Sequence, residues 1–140
     1  SQWKGETTVD FANSNSQMIE VFVRFLRQIC GVQESRLRCY IYCYQNQNIE
    51  EIIRFWSRLT GISKSQFTKP YVRRDYKPEK SGKMPYGLIH IRYSDKKLLA
   101  ILREWITAVS LHLRQNTMGR YRSGQTGLTV KLAAFLSNQD

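Results

Sequence analysis

The chain has 140 residues, 41% of them hydrophobic, and carries 22 Lys and Arg against 11 Asp and Glu, a net charge of +11 with a pI near 9.9. This is one domain with enough apolar material for a core, which excludes a disordered chain. No apolar run reaches the length of a membrane span, and no charged-then-apolar leader opens the sequence. The last 27 residues hold Arg114, Arg120, Arg122 and Lys131 against Asp140, a net of +3, which leaves +8 for residues 1–113. The body itself is therefore basic, a balance that suits polyanions, nucleic acid before anionic membrane.

A chain that opens on Ser1 reads as a processed or partial product. Residues 6–12, "ETTVDFA", alternate as a strand with Thr7, Val9 and Phe11 inward. A helix follows, with Ser14 as N-cap and Gln17 as its capping-box partner. It buries Met18, Ile19, Phe22, Phe25, Leu26 and Ile29 and ends at Gly31.

Next comes "RLRCYIYCYQ". With a period of two, Leu37, Cys39, Ile41 and Cys43 form an ordinary buried face, while Arg36, Arg38, Tyr40, Tyr42 and Tyr44 line the other. Cys39 and Cys43 read there as small hydrophobes. With Cys30 as the third cysteine, no CxxC, and His90 and His112 as the histidines, neither a disulfide framework nor a zinc site is expected. A reducing, cytoplasmic compartment fits such a set.

A second helix is capped by Asn48 with Glu51 at N3; it buries Ile49, Ile52, Ile53, Trp56 and Leu59 and stops at Gly61. "FTKPYVRR", residues 67–74, is extended, with Pro70 marking an edge or a bulge. A polar hairpin tip with Lys77, Lys80 and Lys83 leads into "YGLIHIRY", which turns Ile89 and Ile91 inward and Leu88, His90 and Arg92 outward. Ser94 can cap a last helix that buries Leu98, Leu99, Leu102, Trp105, Ile106 and Val109. The order β-α-β-α-β-β-α predicts an α+β domain: a four-stranded antiparallel sheet, helices packed on one face, the other face left to meet something else.

That open face would gather Arg36, Arg38, Tyr40, Tyr42, Tyr44, His90 and Arg92, and the hairpin tip adds Arg73, Arg74, Lys77, Lys80 and Lys83. Guanidinium groups bind phosphate or the guanine edge, and lysines act as phosphate point charges. Tyrosines donate to phosphate or stack on unpaired bases. The competing reading is cross-strand aromatic packing beside a solvated charged face. Catalytic signatures are missing: there is no GxSxG elbow, and "GRYRSGQTG" lacks the Lys-Ser/Thr ending of a phosphate loop.

Four stretches resemble a bacterial family of uncharacterised proteins related to the LAGLIDADG homing endonucleases: the opening strand with "VDFANSNSQMIEVFVRFLRQICGV", the strand 36–44, "RFWSRLTGISKSQFTKPYV" and "KMPYGLIHIRYSDKKLLAILREWI". The resemblance covers residues 1 to 108 and implies a single LAGLIDADG-like half whose curved antiparallel sheet faces duplex DNA. It also implies a departure. The signature helix, which supplies the dimer seam and the metal-holding acid, falls before Ser1. No catalytic residue is assigned on this chain, a stable homodimer is not expected, and Mg²⁺ belongs only to a complete nuclease. Of the acids, Glu6 and Asp10 alone are placed to approach the DNA side.

The expectation is thus a domain at 1–113 that binds nucleic acid, duplex DNA first, without cleaving it. The alternatives are half of a metal-dependent endonuclease, and an RNA-binding or protein-interaction domain. Residues 114–140 read as a peripheral tail, since "GRYRSGQTGLTVKLAAF" resembles a tyrosine transfer-RNA gene translated in frame.

Overall fold

The computed structural model describes residues 7–74 and 84–116. Strand β1 (Thr8–Asn13) buries Val9 and half-buries Phe11, as its alternation requires. Helix α1 (Ser16–Phe25) starts one residue later than the Ser14 cap would place it. The side-chain oxygen of Asn15 accepts from the backbone N–H groups of Gln17 (2.9 Å) and Met18 (3.1 Å). The helix widens into a π-type turn over Leu26–Cys30 and closes on Gly31, whose φ of 62° is the left-handed conformation that an L side chain resists.

A 3₁₀ turn (Glu34–Arg36) precedes strand β2 (Arg38–Tyr44), and helix α2 (Ile49–Thr60) follows. Asn48 caps α2 by accepting from the N–H of Glu51 (3.1 Å), and Gly61 ends it, as the sequence predicts. Strand β3 is only Tyr71–Arg73, strand β4 is Leu88–Ser94, and helix α3 is Lys96–Asn116. Asp95 rather than Ser94 accepts from the first turn of α3, at the N–H of Leu98 (3.0 Å).

The sheet is four-stranded in the order β1-β4-β2-β3. β4 runs antiparallel to both β1 and β2, but β2 and β3 are parallel, so the sheet is mixed and not antiparallel throughout. The cause is the connection. α2 carries the chain back over the sheet, so β3 starts at the same end as β2. The parallel course begins where the N–H of Thr68 donates to the carbonyl of Cys39 (2.9 Å). β3 and β4, expected to pair as a hairpin, are not neighbours. Gln47 draws the return chain to β2 by donating to the carbonyl of Met84 (2.8 Å), and Trp56 Nε1 donates to that of Tyr86 (2.8 Å). Gly87, with φ of 67°, then passes so close to β2 that a Cβ on it would lie 2.6 Å from the Tyr42 carbonyl oxygen.

One face of the sheet carries Val9, Cys39, Ile41, Cys43, Ile89, Ile91 and Tyr93 into a single core with Ile19, Val23, Leu26, Ile52, Trp56 and Leu98 from the helices. Phe25 and Trp105 meet edge-to-face at 5.7 Å beside it, holding α3 against α1. Thr7, expected inward, lies just ahead of β1 and is exposed, and two helix residues expected in the core are exposed as well, Met18 at 50% and Ile106 at 67%. Each of these helix residues sits one residue, about 100° of helix rotation, from a neighbour that took the core position: Ile19 and Trp105. α3 runs on to Asn116, past the expected boundary at 113; residues 117–140 lie outside the described set. Among the described residues no helix is long and apolar enough to cross a membrane.

Candidate nucleic-acid interface

With the helices on one side, the pleat assigns Asp10 and Ala12 of β1, His90 and Arg92 of β4, Arg38, Tyr40, Tyr42 and Tyr44 of β2, and Tyr71 and Arg73 of β3 to the other. Register places Arg92 between Asp10 and Arg38, and His90 between Ala12 and Tyr40. The face is organised around Asp10. Its two carboxylate oxygens take one partner each: Nδ1 of His90 lies 2.9 Å from Oδ1, and Nε of Arg92 donates to Oδ2 at 3.0 Å. The Arg92 guanidinium also lies over the Tyr40 ring, 4.0 Å from its centroid. Partial burial works against the charge of Arg92, but the carboxylate and hydrogen bond of Asp10, with Tyr40, outweigh it and raise the guanidinium pKa.

Beside this cluster the Tyr42 ring sits 4.6 Å from His90 and 5.3 Å from Tyr71. Arg38 is exposed, and its Nη1 folds back to donate to the carbonyls of Ser35 and Leu37, both at 2.8 Å. Arg74 is exposed just beyond β3.

Two residues expected on this face have other duties. Arg36 belongs to the 3₁₀ turn before β2, where it donates to the Ser94 carbonyl and covers the Tyr93 ring at 4.8 Å. The alternation cannot extend to it, because the strand starts only at Arg38. Tyr44 has the outward parity but is 9% exposed, with the Arg73 guanidinium 6.0 Å from its ring centroid. Lys77, Lys80 and Lys83 lie outside the described residues, as does Glu6. The strand-surface acid Asp10 is the residue that sequence reasoning undervalued; its partners are 80 and 82 positions away and become visible only with the strand order.

The Mg²⁺ of a complete nuclease does not fit here. Mg²⁺ needs convergent carboxylate oxygens, whereas Asp10 already faces a guanidinium, and among the described residues no three His, Cys, Asp or Glu side chains come together as a metal site. Thiol chemistry has no foothold either: burial pushes Cys39 up to about 12, Cys30 up to about 11 and Cys43 upward, away from the reactive thiolate. No protein-family model, curated protein or solved structure matches the chain.

Proposed function

We propose that this chain is a nucleic-acid-binding module that meets its ligand with the open sheet face, resembles a single LAGLIDADG-like half set against duplex DNA, and does not cleave it. The observation that carries the reading is the make-up of that face: Arg38, Arg73 and Arg92 with Tyr40, Tyr42 and His90, opposed by Asp10 as its acid among the described residues. A net charge of +11 supports a polyanionic partner. The quoted sequence stretches and the antiparallel β1-β4-β2 portion agree with the LAGLIDADG-like resemblance, while the parallel β2–β3 pair departs from it. The ion pair between Asp10 and Arg92 supports the non-cleaving part, since among the described residues it leaves the face without a free carboxylate pair for a metal.

The test is titration of a short duplex into the parent chain and into the Arg38→Ala/Arg92→Ala double variant at several salt concentrations. Loss of two phosphate contacts weakens binding and flattens the slope of log K against log salt by about two units. Unchanged affinity and slope would remove the sheet face from the interface.

A further inference from the structure

The rings of Tyr71, Tyr42 and His90 form a row across β3, β2 and β4, with centroid separations of 5.3 Å and 4.6 Å and interplanar angles of 37° and 31°. Both contacts are tilted, between parallel stacking and edge-to-face, and the row runs across the strands. At one end His90 is held by Asp10 through Nδ1. At the other end the row stops at β3, the sheet edge among the described residues, with Tyr71 59% exposed. The end ring is therefore a large aromatic surface left to water at the margin of a basic face, with Lys69, Arg73 and Arg74 within three residues of it in the chain.

We infer that Tyr71, the exposed end ring of this row, takes an unpaired nucleobase, so that the chain prefers a nucleic acid carrying unpaired nucleotides to a fully paired duplex. The inference rests on the nucleic-acid reading and sharpens it. A planar heterocycle can stack on an exposed tyrosine ring, whereas an aliphatic or peptide ligand gains less from it. The surrounding cations ask for a ligand that brings negative charge with that heterocycle, which is what a nucleotide does. Inside a duplex both faces of every base are already covered, so only a single strand, an overhang or an extruded base can offer one. Tyr71 suits such a role because its ring belongs to a three-residue edge strand and not to the core.

The experiment compares three probes of one sequence: a single strand, a blunt duplex, and a duplex with a short overhang, each with 2-aminopurine in the strand that is unpaired in the overhang. Affinity comes from anisotropy and stacking from 2-aminopurine quenching, for the parent chain, Tyr71→Ala, Tyr71→Phe and Arg38→Ala/Arg92→Ala. The inference expects the single strand and the overhang to bind more tightly than the blunt duplex. Tyr71→Ala should weaken those two by roughly ten-fold and abolish the quenching, while Tyr71→Phe keeps both. Circular dichroism of Tyr71→Ala confirms that the fold is intact. A blunt duplex bound as tightly as the overhang, or a silent Tyr71→Ala beside a weakened arginine variant, overturns the inference and leaves nucleic-acid binding standing. Failure of all three probes to bind removes both.

Discussion

The two faces of β2 differ in what holds their side chains. Cys39, Ile41 and Cys43 are 0–2% exposed and fixed by close packing from all sides. Arg38, Tyr40 and Tyr42, one peptide away in each case, are fixed by a few directional contacts: a ring under a guanidinium, a ring beside an imidazole, an arginine folded onto backbone carbonyls. The first face contributes stability roughly in proportion to area. The second is built from contacts worth tenths of a kcal/mol to about 1 kcal/mol each. Its order is thus available to a ligand without endangering the fold.

The most direct way to break this comparison is to truncate neighbours. Ile41→Ala should lose about 2–5 kcal/mol, because it opens a cavity in a core that cannot fully collapse. Tyr42→Ala should lose about 1 kcal/mol or less. Urea denaturation of both variants gives the answer; equal losses would make the open face a second core. A smaller effect should come from Asp10→Asn. Removing the acid takes away its repulsion of nearby phosphate while Arg92 keeps its contact, so affinity for a duplex should rise. Weaker binding would instead make Asp10 the residue that orients Arg92 for its ligand.

The smallest effect lies off the sheet, where Arg27 of the π-type turn donates through Nε to Glu34 at 3.0 Å. Its hydrogen bond, then its charge, holds the Glu34 carboxyl below the usual range although partial burial pushes the other way. A depressed carboxyl stabilises the fold above the unfolded-state value, about 4.3, and that contribution disappears as pH falls through the lower folded-state value. Because both side chains are a third or more exposed, Glu34→Gln should cost about 0.2–1 kcal/mol at pH 7. The gap between variant and parent should close below about pH 4. A gap that persists in acid would assign the effect to packing.

Much of the core was legible in the sequence, because burial follows covalent periodicity. The alternation at residues 37–43 and at Ile89 and Ile91, the Asn48 cap and the Gly61 stop all reappear in space. The cap positions at Asn15 and Asp95 each moved by one residue, because adjacent Ser, Asn and Asp side chains in "NSNSQ" and "YSD" can each accept from a first turn. Strand neighbours were not legible. Two extended segments joined by a polar turn suggest a hairpin, yet the hydrogen bonds of Gln47 and Trp56 to residues 84 and 86 steer β4 to the far side of β2. The candidate site inherited that limit. The outward parity of Tyr40, Tyr42 and Arg92 could be counted from the chain, but the arrangement around Asp10 depends on β1 lying beside β4.

That last pairing also governs when the domain can form. Thr8 faces Ser94 across the β1–β4 ladder, 86 positions along the chain. Long-range pairing of this kind raises contact order and slows folding, since the chain entropy of closing so large a loop is lost before the ladder compensates for it. During synthesis at about 5–20 residues per second, roughly 4–17 s separate the appearance of Thr8 from that of its partner. Through that interval Val9 and Phe11 have no β4 beside them. β1 is therefore translated ahead of its only partner strand among the described residues and secured after it, and the nascent chain carries an unsatisfied strand edge through that interval.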